Sequence, residues 1–212
     1  MKPKAATLGI FAKWPEPGRA KTRMIPLLGE QGAAALARQL LVKSLQWVDT
    51  CPEDICPVLW VDGGTQVQWA ELLASLKLVR QWQVLPQSQG HLGQRMQHAM
   101  QVQFEQSPFS MIMGTDTPTL GPTHVAALRS ALANHDAAFI PALDGGYVMV
   151  AMARLCESAF AELDWGSEQV AEQTRSALTQ TGCTHAWLPP EPDLDVAQDY
   201  EQALAAGWVS PP

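Results

Sequence analysis

The chain has 212 residues, with 21 acidic side chains against 14 Lys and Arg, and a net charge of −7. This length suits one domain with a sizeable core. The acidic balance argues against a general nucleic-acid binder, and 47% hydrophobic residues argue against disorder. No apolar run approaches the roughly 20 residues that span a bilayer. The four cysteines form no Cys-x-x-Cys pair, which favours free thiols and a cytoplasmic protein.

Short apolar runs alternate with segments of helical periodicity along most of the chain. The apolar runs predict strands at 6–12, 57–62, 81–86, 109–114, 137–142, 147–152 and 184–188. Hydrophobic residues at helical spacing predict helices at 30–49, 66–76, 92–105, 123–133, 167–181 and 196–206. Residues 13–28, rich in proline, glycine and basic side chains, predict a loop. Thr123 and Ser167 are interpreted as helix N-caps.

This alternation predicts an α/β fold of three layers, α/β/α, with a mainly parallel, Rossmann-like sheet. The strand–turn–strand unit at 137–152 breaks the alternation, so we expect a mixed sheet. No internal repeat or linker divides the chain. We therefore expect residues 1–212 to form a single domain.

Charge is distributed unevenly along the chain. Residues 1–23 hold six of the 14 basic side chains, namely Lys2, Lys4, Lys13, Arg19, Lys21 and Arg23. No Lys or Arg follows Arg175, and the tail carries Glu191, Asp193, Asp195, Asp199 and Glu201. A basic loop and an acidic tail could face a phosphate and a metal, respectively. Random clustering on a solubilising surface is the alternative.

The first motif, Phe11 to Arg23, directly follows the first strand. Ligands in open α/β sheets bind beyond the carboxyl ends of the strands, so this loop has a suitable location. Gly18 permits close approach of the backbone, and the cations Arg19, Lys21 and Arg23 suit a di- or triphosphate. An exposed basic loop without a ligand is the alternative.

Two acidic motifs contain candidate metal ligands. Asp116, in Gly114 to Pro118, follows a buried strand, where a carboxylate suits Mg²⁺ or Mn²⁺. It could instead cap a turn ahead of the proline. Asp193 and Asp195 alternate, so they share a face of an extended segment. Asp195 also lies where a helix N-cap belongs, and both roles stay open.

Two glycine-containing turns could approach a ligand through their backbone. The turn Asp144 to Tyr147 is, taken alone, better explained as a plain hairpin turn. The segment Gln89 to Met96 opens a helix, and helix N-termini favour anions. Arg95 could reach a phosphate or a neighbouring carboxylate there. An ordinary helix start is the alternative for this segment.

Together these motifs resemble the bacterial glycosyltransferase-like family of unknown function, whose members are often called radical-SAM/selenodomain-associated transferases. The family patterns F-A-K-x-P-x-P-G-R-x-K-T-R and Q-x-G-x-L-G-x-R-M correspond to Phe11–Arg23 and to Gln87 or Gln89 through Met96. The patterns G-[ST]-D-[ST]-P, D-G-G-Y and D-x-D-x-x-x-D correspond to Gly114–Pro118, Asp144–Tyr147 and Asp193–Asp199. Trp165-Gly166-Ser167 stands where Trp-Ser-Thr is usual and loses one hydroxyl. The first loop is also similar to that of phospho-lactate guanylyltransferases.

The resemblance implies a nucleotide-diphosphosugar transferase (GT-A-like) fold, with Lys21 and Asp116 as catalytic residues. It implies Mg²⁺ or Mn²⁺ bound by Asp116 together with Asp195 or Asp193. The nucleotide and its phosphates are expected at Ala12, Lys13, Gly18, Arg19, Lys21, Thr22, Arg23, Gly90, Leu92, Gly93, Arg95 and Thr115. The acceptor or sugar is expected at Asp144, Gly145, Gly146, Tyr147 and Trp165.

These features predict a metal-dependent transferase that uses an activated nucleotide. Nucleotidyl transfer to a small phosphorylated or carboxylate acceptor, with release of pyrophosphate, is preferred because the cations of the first loop suit a triphosphate. Glycosyl transfer from a nucleotide-diphosphosugar is the alternative, and a non-catalytic nucleotide-binding protein is the second. The expected partners are a nucleotide and a small-molecule acceptor, with no nucleic acid and no membrane span. A homodimer stays open.

Overall fold

A seven-stranded sheet organises the chain. The structure is a computed structural model that describes residues 5–161 and 163–212, so Lys2 and Lys4 lie outside the described residues. The strands are β1 (Ala6–Lys13), β2 (Ile55–Asp62), β3 (Gln83–Pro86), β4 (Phe109–Met113), β5 (Ala137–Pro141), β6 (Tyr147–Met152) and β7 (His185–Trp187). The helices are α1 (Ile25–Asp49), α2 (Gln66–Ser75), α3 (Leu92–Phe104), α4 (Pro122–Ala131), α5 (Val170–Gln180) and α6 (Ala197–Ala205).

The strand order is β3-β2-β1-β4-β6-β5-β7, and the sheet is mixed as predicted. β1 pairs in parallel with β2 and β4, β2 with β3, and β5 with β7. β6 runs antiparallel to both neighbours, β4 and β5, because a tight hairpin joins it to β5. The carboxyl ends of β1, β2 and β4 therefore meet at one edge, where ligands bind in such sheets.

Helices cover both faces of the sheet, which confirms the three layers. Successive strand residues point to opposite faces. Leu59 of β2 packs with Leu41 and Leu45 of α1, whereas the adjacent Trp60 packs with Met96 of α3. Because both faces are buried, the strands read as nearly continuous apolar runs rather than as alternating ones.

A third hydrophobic cluster holds the C-terminal segment against α1. Leu194 and Tyr200 pack there with Leu36 and Leu40. The backbone N–H of Leu194 also donates a hydrogen bond to the carbonyl oxygen of Asp116, at 2.9 Å. The acidic tail thus runs beside the carboxyl end of β4.

Apart from α1 and α5, the elements begin and end within two residues of their predicted bounds. α1 starts at Ile25 and includes a non-helical Gly29, so the predicted helix from 30 is the part after this break. The N-cap of α4 is Gly121 rather than the predicted Thr123. The reason is Pro122, whose fixed φ suits the first helical position.

The first turn of α5 also differs from the prediction. The helix begins at Val170 with Gln169 as its N-cap, so the prediction of Ser167 as the cap is wrong. The Ser167 hydroxyl instead accepts a hydrogen bond from the Gln169 N–H at 3.2 Å and closes a turn before the helix. None of the described helices is both long and apolar enough to cross a membrane.

Candidate active site

The carboxyl ends of β1, β2 and β4 open into a cavity of about 500 Å³. We call it the cationic cavity, because its lining includes five basic side chains against three carboxylates. These charged lining residues are Lys13, Arg19, Lys21, Arg23, Arg95, Asp62, Asp116 and Asp195. Such an excess of positive charge in a cleft attracts anions such as polyphosphates.

Lys21 links three distant segments of the chain at this cavity. Its side chain is 6% exposed, and its Nζ lies 2.9 Å from Asp116 Oδ1 and 3.9 Å from Asp195 Oδ1. The same ammonium donates a hydrogen bond to the Leu194 carbonyl oxygen. The backbone of Lys21 has a φ of 47°, a left-handed conformation that is uncommon for a residue other than glycine. Backbone strain of this kind clusters at functional sites.

Asp195 forms ion pairs and does not cap α6. The N-cap is Val196, and the Asp199 carboxylate accepts hydrogen bonds from the N–H groups of Val196, at 2.8 Å, and Asp195, at 2.9 Å. The Asp195 carboxylate pairs instead with Lys21 and Arg23. Of the two roles left open for Asp195, the N-cap is therefore wrong.

Asp116 likewise directs its carboxylate away from its own turn. The side chain is 52% exposed, and its contact is the ammonium of Lys21. Its backbone carbonyl oxygen accepts the hydrogen bond from the Leu194 N–H. Among the described residues no hydrogen bond joins the carboxylate to the turn ahead of Pro118, so turn capping is not observed. The metal-ligand role of Asp116 stays a prediction.

Asp116 and Asp195 form a carboxylate pair that suits a divalent ion shared with phosphate. Mg²⁺ is usually held by one or two carboxylates together with substrate phosphates. Within residues 5–161 and 163–212, no group of three or more His, Cys, Asp and Glu could hold a metal ion. Asp193 therefore does not complete a three-carboxylate set. Burial, followed by the charge of Asp144, raises the pKa of Asp193 to about 6, a value at which the carboxylate is still mainly ionised at pH 7.

The segment at the start of α3 is a helix start that also presents an arginine. His91 Nδ1 accepts from the Gln94 N–H at 3.4 Å, and Gln94 Oε1 accepts from the His91 N–H at 3.1 Å. This reciprocal cap satisfies the first donors of the helix. Arg95 donates to Gln87 Oε1 at 2.8 Å and lies 3.8 Å from Asp62 Oδ2. Arg95 thus reaches a neighbouring carboxylate, one of its two predicted contacts.

Most residues predicted to bind the nucleotide line the cationic cavity. These are Lys13, Arg19, Lys21, Thr22, Arg23, Leu92, Arg95 and Thr115. Ala12, Gly18, Gly90 and Gly93 are not on its described walls. Gly93 has a packing role instead, since an added Cβ would lie 2.6 Å from the Phe160 carbonyl oxygen and against the Trp165 ring.

Two further lining residues bear on the sequence motifs. Gln87 lines the cavity and its Oε1 accepts a hydrogen bond from Arg95, whereas Gln89 does not line the cavity. Asp62 was missed by sequence reasoning. It ends a buried strand just before two glycines, and an acidic residue at a strand end is the same signal that identified Asp116.

A second cavity, of about 230 Å³, lies on the other side of Asp116. It shares Gly114, Asp116 and Leu92 with the cationic cavity. The predicted acceptor-side residues on its walls are Asp144, Gly146, Tyr147 and Trp165, and Asp193 joins them. Burial raises the pKa of the Tyr147 hydroxyl, so the phenol stays neutral over the ordinary pH range. The structure thus places Asp116 between two adjoining cavities.

Contacts within the protein account for Gly145, which does not line the second cavity. Its φ is 93°, and its carbonyl oxygen accepts a hydrogen bond from the Ala171 N–H at 2.9 Å. A Cβ at this position would overlap the carbonyl of Glu168. Asp144 Oδ1 accepts from the Gly146 N–H at 3.0 Å and closes the turn locally. The hairpin interpretation therefore explains this glycine.

We expect Gly145→Ala to destabilise the protein by about 3 kcal/mol, because it adds a strained φ and an overlap with backbone. For a chain of this size, that lowers Tm by about 6 to 12 °C in a thermal unfolding scan. Gly146→Ala is the matched control, since its Cβ would lie 3.3 Å from the movable Asp144 side chain. Equal stability of Gly145→Ala and the wild type would contradict the packing of this turn against Glu168.

Residues 50–167 match the sequence model of the family described as uncharacterized protein conserved in bacteria (DUF2064). The match includes α3, Asp116 and the Asp144–Tyr147 turn, whereas the first loop and the acidic tail lie outside it. No curated protein sequence shows significant similarity to the chain. The radical-SAM/selenodomain association and the likeness to phospho-lactate guanylyltransferases stay predictions.

Solved structures share the fold. A protein from Desulfovibrio desulfuricans G20, provisionally assigned as a nucleotide-diphospho-sugar transferase, is 28% identical, with a TM-score of 0.83 over 94% of this chain and 85% of that one. The 4-diphosphocytidyl-2C-methyl-D-erythritol synthase of Anaerococcus prevotii DSM 20548 is 12% identical, with a TM-score of 0.66 over 97% and 99%. CMP:2-keto-3-deoxy-manno-octonic acid synthetase, complexed with CTP, is 12% identical, with a TM-score of 0.57 over 97% and 100%. These likenesses confirm the expected nucleotide-diphosphosugar transferase fold.

Proposed function

The chain belongs to the DUF2064 family, and from that premise we propose that it is a metal-dependent transferase that uses an activated nucleotide. The observation that carries the proposal is the cationic cavity at the strand ends, with the buried Lys21 ammonium beside Asp116. Open α/β sheets bind nucleotides at this edge. Between the two reactions that such an enzyme can perform, we prefer nucleotidyl transfer.

In this proposal the basic side chains of the cationic cavity bind the phosphates. Arg19 and Arg23 come from the mouth of the cavity, and Arg95 from α3. Lys21 contributes most, because its buried ammonium is already oriented and needs no reorganisation during the reaction. Asp116 and Asp195 would hold Mg²⁺ or Mn²⁺, which would neutralise phosphate charge and supply a Lewis acid.

Nucleotidyl transfer makes full use of this positive charge. An acceptor oxygen attacks the α-phosphorus, the bond to the bridging oxygen breaks, and pyrophosphate leaves. When the acceptor oxygen is a hydroxyl, its proton passes to solvent. Such a reaction depends on positioning and electrostatics rather than on a protein nucleophile. Five lining cations suit a triphosphate and its departing pyrophosphate better than a diphosphate. The synthetase with CTP bound shows that this fold accommodates a triphosphate.

Glycosyl transfer is the second candidate, and one comparison favours it. The Desulfovibrio desulfuricans protein, 28% identical, is assigned to the nucleotide-diphospho-sugar transferases. In that reaction the acceptor attacks the sugar carbon, and a nucleoside diphosphate leaves. Turnover of either a nucleoside triphosphate or a nucleotide sugar would exclude the remaining alternative, a non-catalytic nucleotide-binding protein.

The test is a thermal-shift panel of nucleoside triphosphates and nucleotide sugars, each with Mg²⁺ or Mn²⁺. A triphosphate at 100 times its Kd is expected to add about 2.7 kcal/mol of stability, because it binds only the folded state. Product analysis then distinguishes pyrophosphate from a nucleoside diphosphate. Arg19→Met is expected to weaken the shift, and Arg38→Met, an exposed cation of α1, is the matched control. A shift with a nucleotide sugar alone would favour glycosyl transfer, and no shift with any nucleotide would contradict the proposal.

A further inference from the structure

The second cavity differs from the cationic cavity in the sign of its charge. Its titratable lining residues, among those the structure describes, are Asp116, Asp144, Asp193 and Tyr147, and none is Lys, Arg or His. Asp116 is paired with Lys21. Within the described residues, Asp144 and Asp193 form no ion pair. The two cavities thus meet at Asp116 with opposite electrostatic character.

The negative region extends beyond the second cavity. An adjoining cavity of about 260 Å³ shares Asp144 and Asp193 with it and adds Asp195 and Asp199. The one described cation that lines it, Arg23, is paired with Asp195. An acceptor that approaches from either cavity therefore meets carboxylates. Carboxylates in a cleft repel an incoming anion and lower its concentration there.

The remaining walls of the second cavity are mostly apolar, with two hydroxyl side chains from Thr117 and Ser167. They include Leu92, Met96, Val148 and Val170, together with the aromatic ring of Trp165. The volume of about 230 Å³ is below the roughly 300 to 1,000 Å³ of pockets for drug-sized ligands, so the bound part of the acceptor is small. Ionised carboxylates only accept hydrogen bonds, so they recognise O–H and N–H donors.

We propose that the acceptor is an uncharged or cationic hydroxyl compound of the polyol, sugar or amino-sugar class, and that Asp144 and Asp193 exclude phosphorylated and carboxylate acceptors. This inference rests on the proposed function and replaces the anionic acceptor expected from the sequence. A divalent ion held by Asp116 and Asp195 would offset those two carboxylates only. Asp144 belongs to neither that metal site nor a described ion pair, so its carboxylate would still face the acceptor.

The test compares three probes with the same ring: glucosamine, glucose and glucose 6-phosphate. Their dissociation constants are measured by ligand-detected NMR, on the free enzyme and on the enzyme saturated with the nucleotide from the panel. Saturation keeps the sugar phosphate out of the cationic cavity. We expect glucosamine and glucose to bind the saturated enzyme at least 10-fold more tightly than glucose 6-phosphate. Equal or tighter binding of glucose 6-phosphate would overturn the inference, and so would the absence of binding by all three probes.

A variant assigns the discrimination to Asp144. Asp144→Asn keeps the oxygen that accepts from the Gly146 N–H and removes only the charge. We expect Asp144→Asn to reduce the ratio of the glucose 6-phosphate dissociation constant to the glucose dissociation constant at least threefold. Glu71→Gln, on the exposed face of α2, is expected to leave this ratio unchanged. If Asp144→Asn left the ratio of the two dissociation constants unchanged, the assignment of the discrimination to Asp144 would be overturned. If no nucleotide binds, the proposed function fails. The change in glucose 6-phosphate affinity between the free wild type and free Asp144→Asn then still decides the charge preference of the second cavity, because Asp144 does not line the cationic cavity.

Discussion

The Lys21→Met variant is expected to keep its fold and to lose about 100- to 1,000-fold in kcat/KM, the cost of removing one preorganised charged donor from an active site. Lys21 is 6% exposed and contacts Asp116, so its ammonium is fixed where the phosphates are proposed to bind. Methionine preserves the length and the apolar stem of the side chain but has no charge. The charges of Asp116 and Asp195 would then lack the ammonium that pairs with them.

The measurement combines steady-state kinetics on the preferred donor with a thermal unfolding scan. Arg38→Met is the matched control, because it removes an exposed cation of α1 outside both cavities. Arg38→Met is expected to keep wild-type kinetics. A folded Lys21→Met variant with wild-type kcat/KM would show that the buried ammonium only holds the C-terminal segment in place through Leu194.

Asp116→Asn is expected to reduce metal-dependent turnover by about 1,000-fold, which corresponds to about 4 kcal/mol of transition-state stabilisation. Asparagine has the same shape and keeps an oxygen that can accept from Lys21. It removes the negative charge that a divalent ion needs. The affinity for Mn²⁺ in the presence of nucleotide should fall together with the turnover.

This expectation is checked by titrating Mn²⁺ calorimetrically into the nucleotide complex and by measuring turnover over a range of metal concentrations. Glu71→Gln makes the same chemical change on the exposed face of α2 and serves as the control. If Asp116→Asn kept both its metal affinity and its turnover, the metal site would have to be built from other residues. If turnover were lost while the metal affinity stayed unchanged, Asp116 would instead act by orienting the Lys21 ammonium.

The secondary structure could be predicted because it depends on local patterns. β1 and β4 are continuous apolar runs because both faces of these strands are buried. Leucines recur every three or four residues in α1, and this spacing predicts a helix. Caps were predicted less well, because a residue with the right chemistry for a cap need not lie where the helix begins. Ser167 and Asp195 have the right chemistry for a cap, but Gln169 and Val196 occupy the position.

Part of the site could also be predicted, because strand ends carry function in this fold class. That rule located the first loop and Asp116. The same rule applies to Asp62, the acidic residue at the end of β2. The contact between Lys21 and Leu194 could not be predicted, since the two residues are 173 positions apart.

The sequence by itself determined the elements, the mixed sheet and the chemical types of the residues proposed to bind a nucleotide, because hydrophobic periodicity and strand-end motifs are local properties. The tertiary structure alone decided which charges meet. Strand order brings β1, β2 and β4 together, and the packing of Leu194 on α1 brings the acidic tail to Lys21. Asp195 is thereby paired with cations, while Asp144 and Asp193 are left on the wall of a separate cavity. Neighbours in space follow from packing rather than from spacing along the chain.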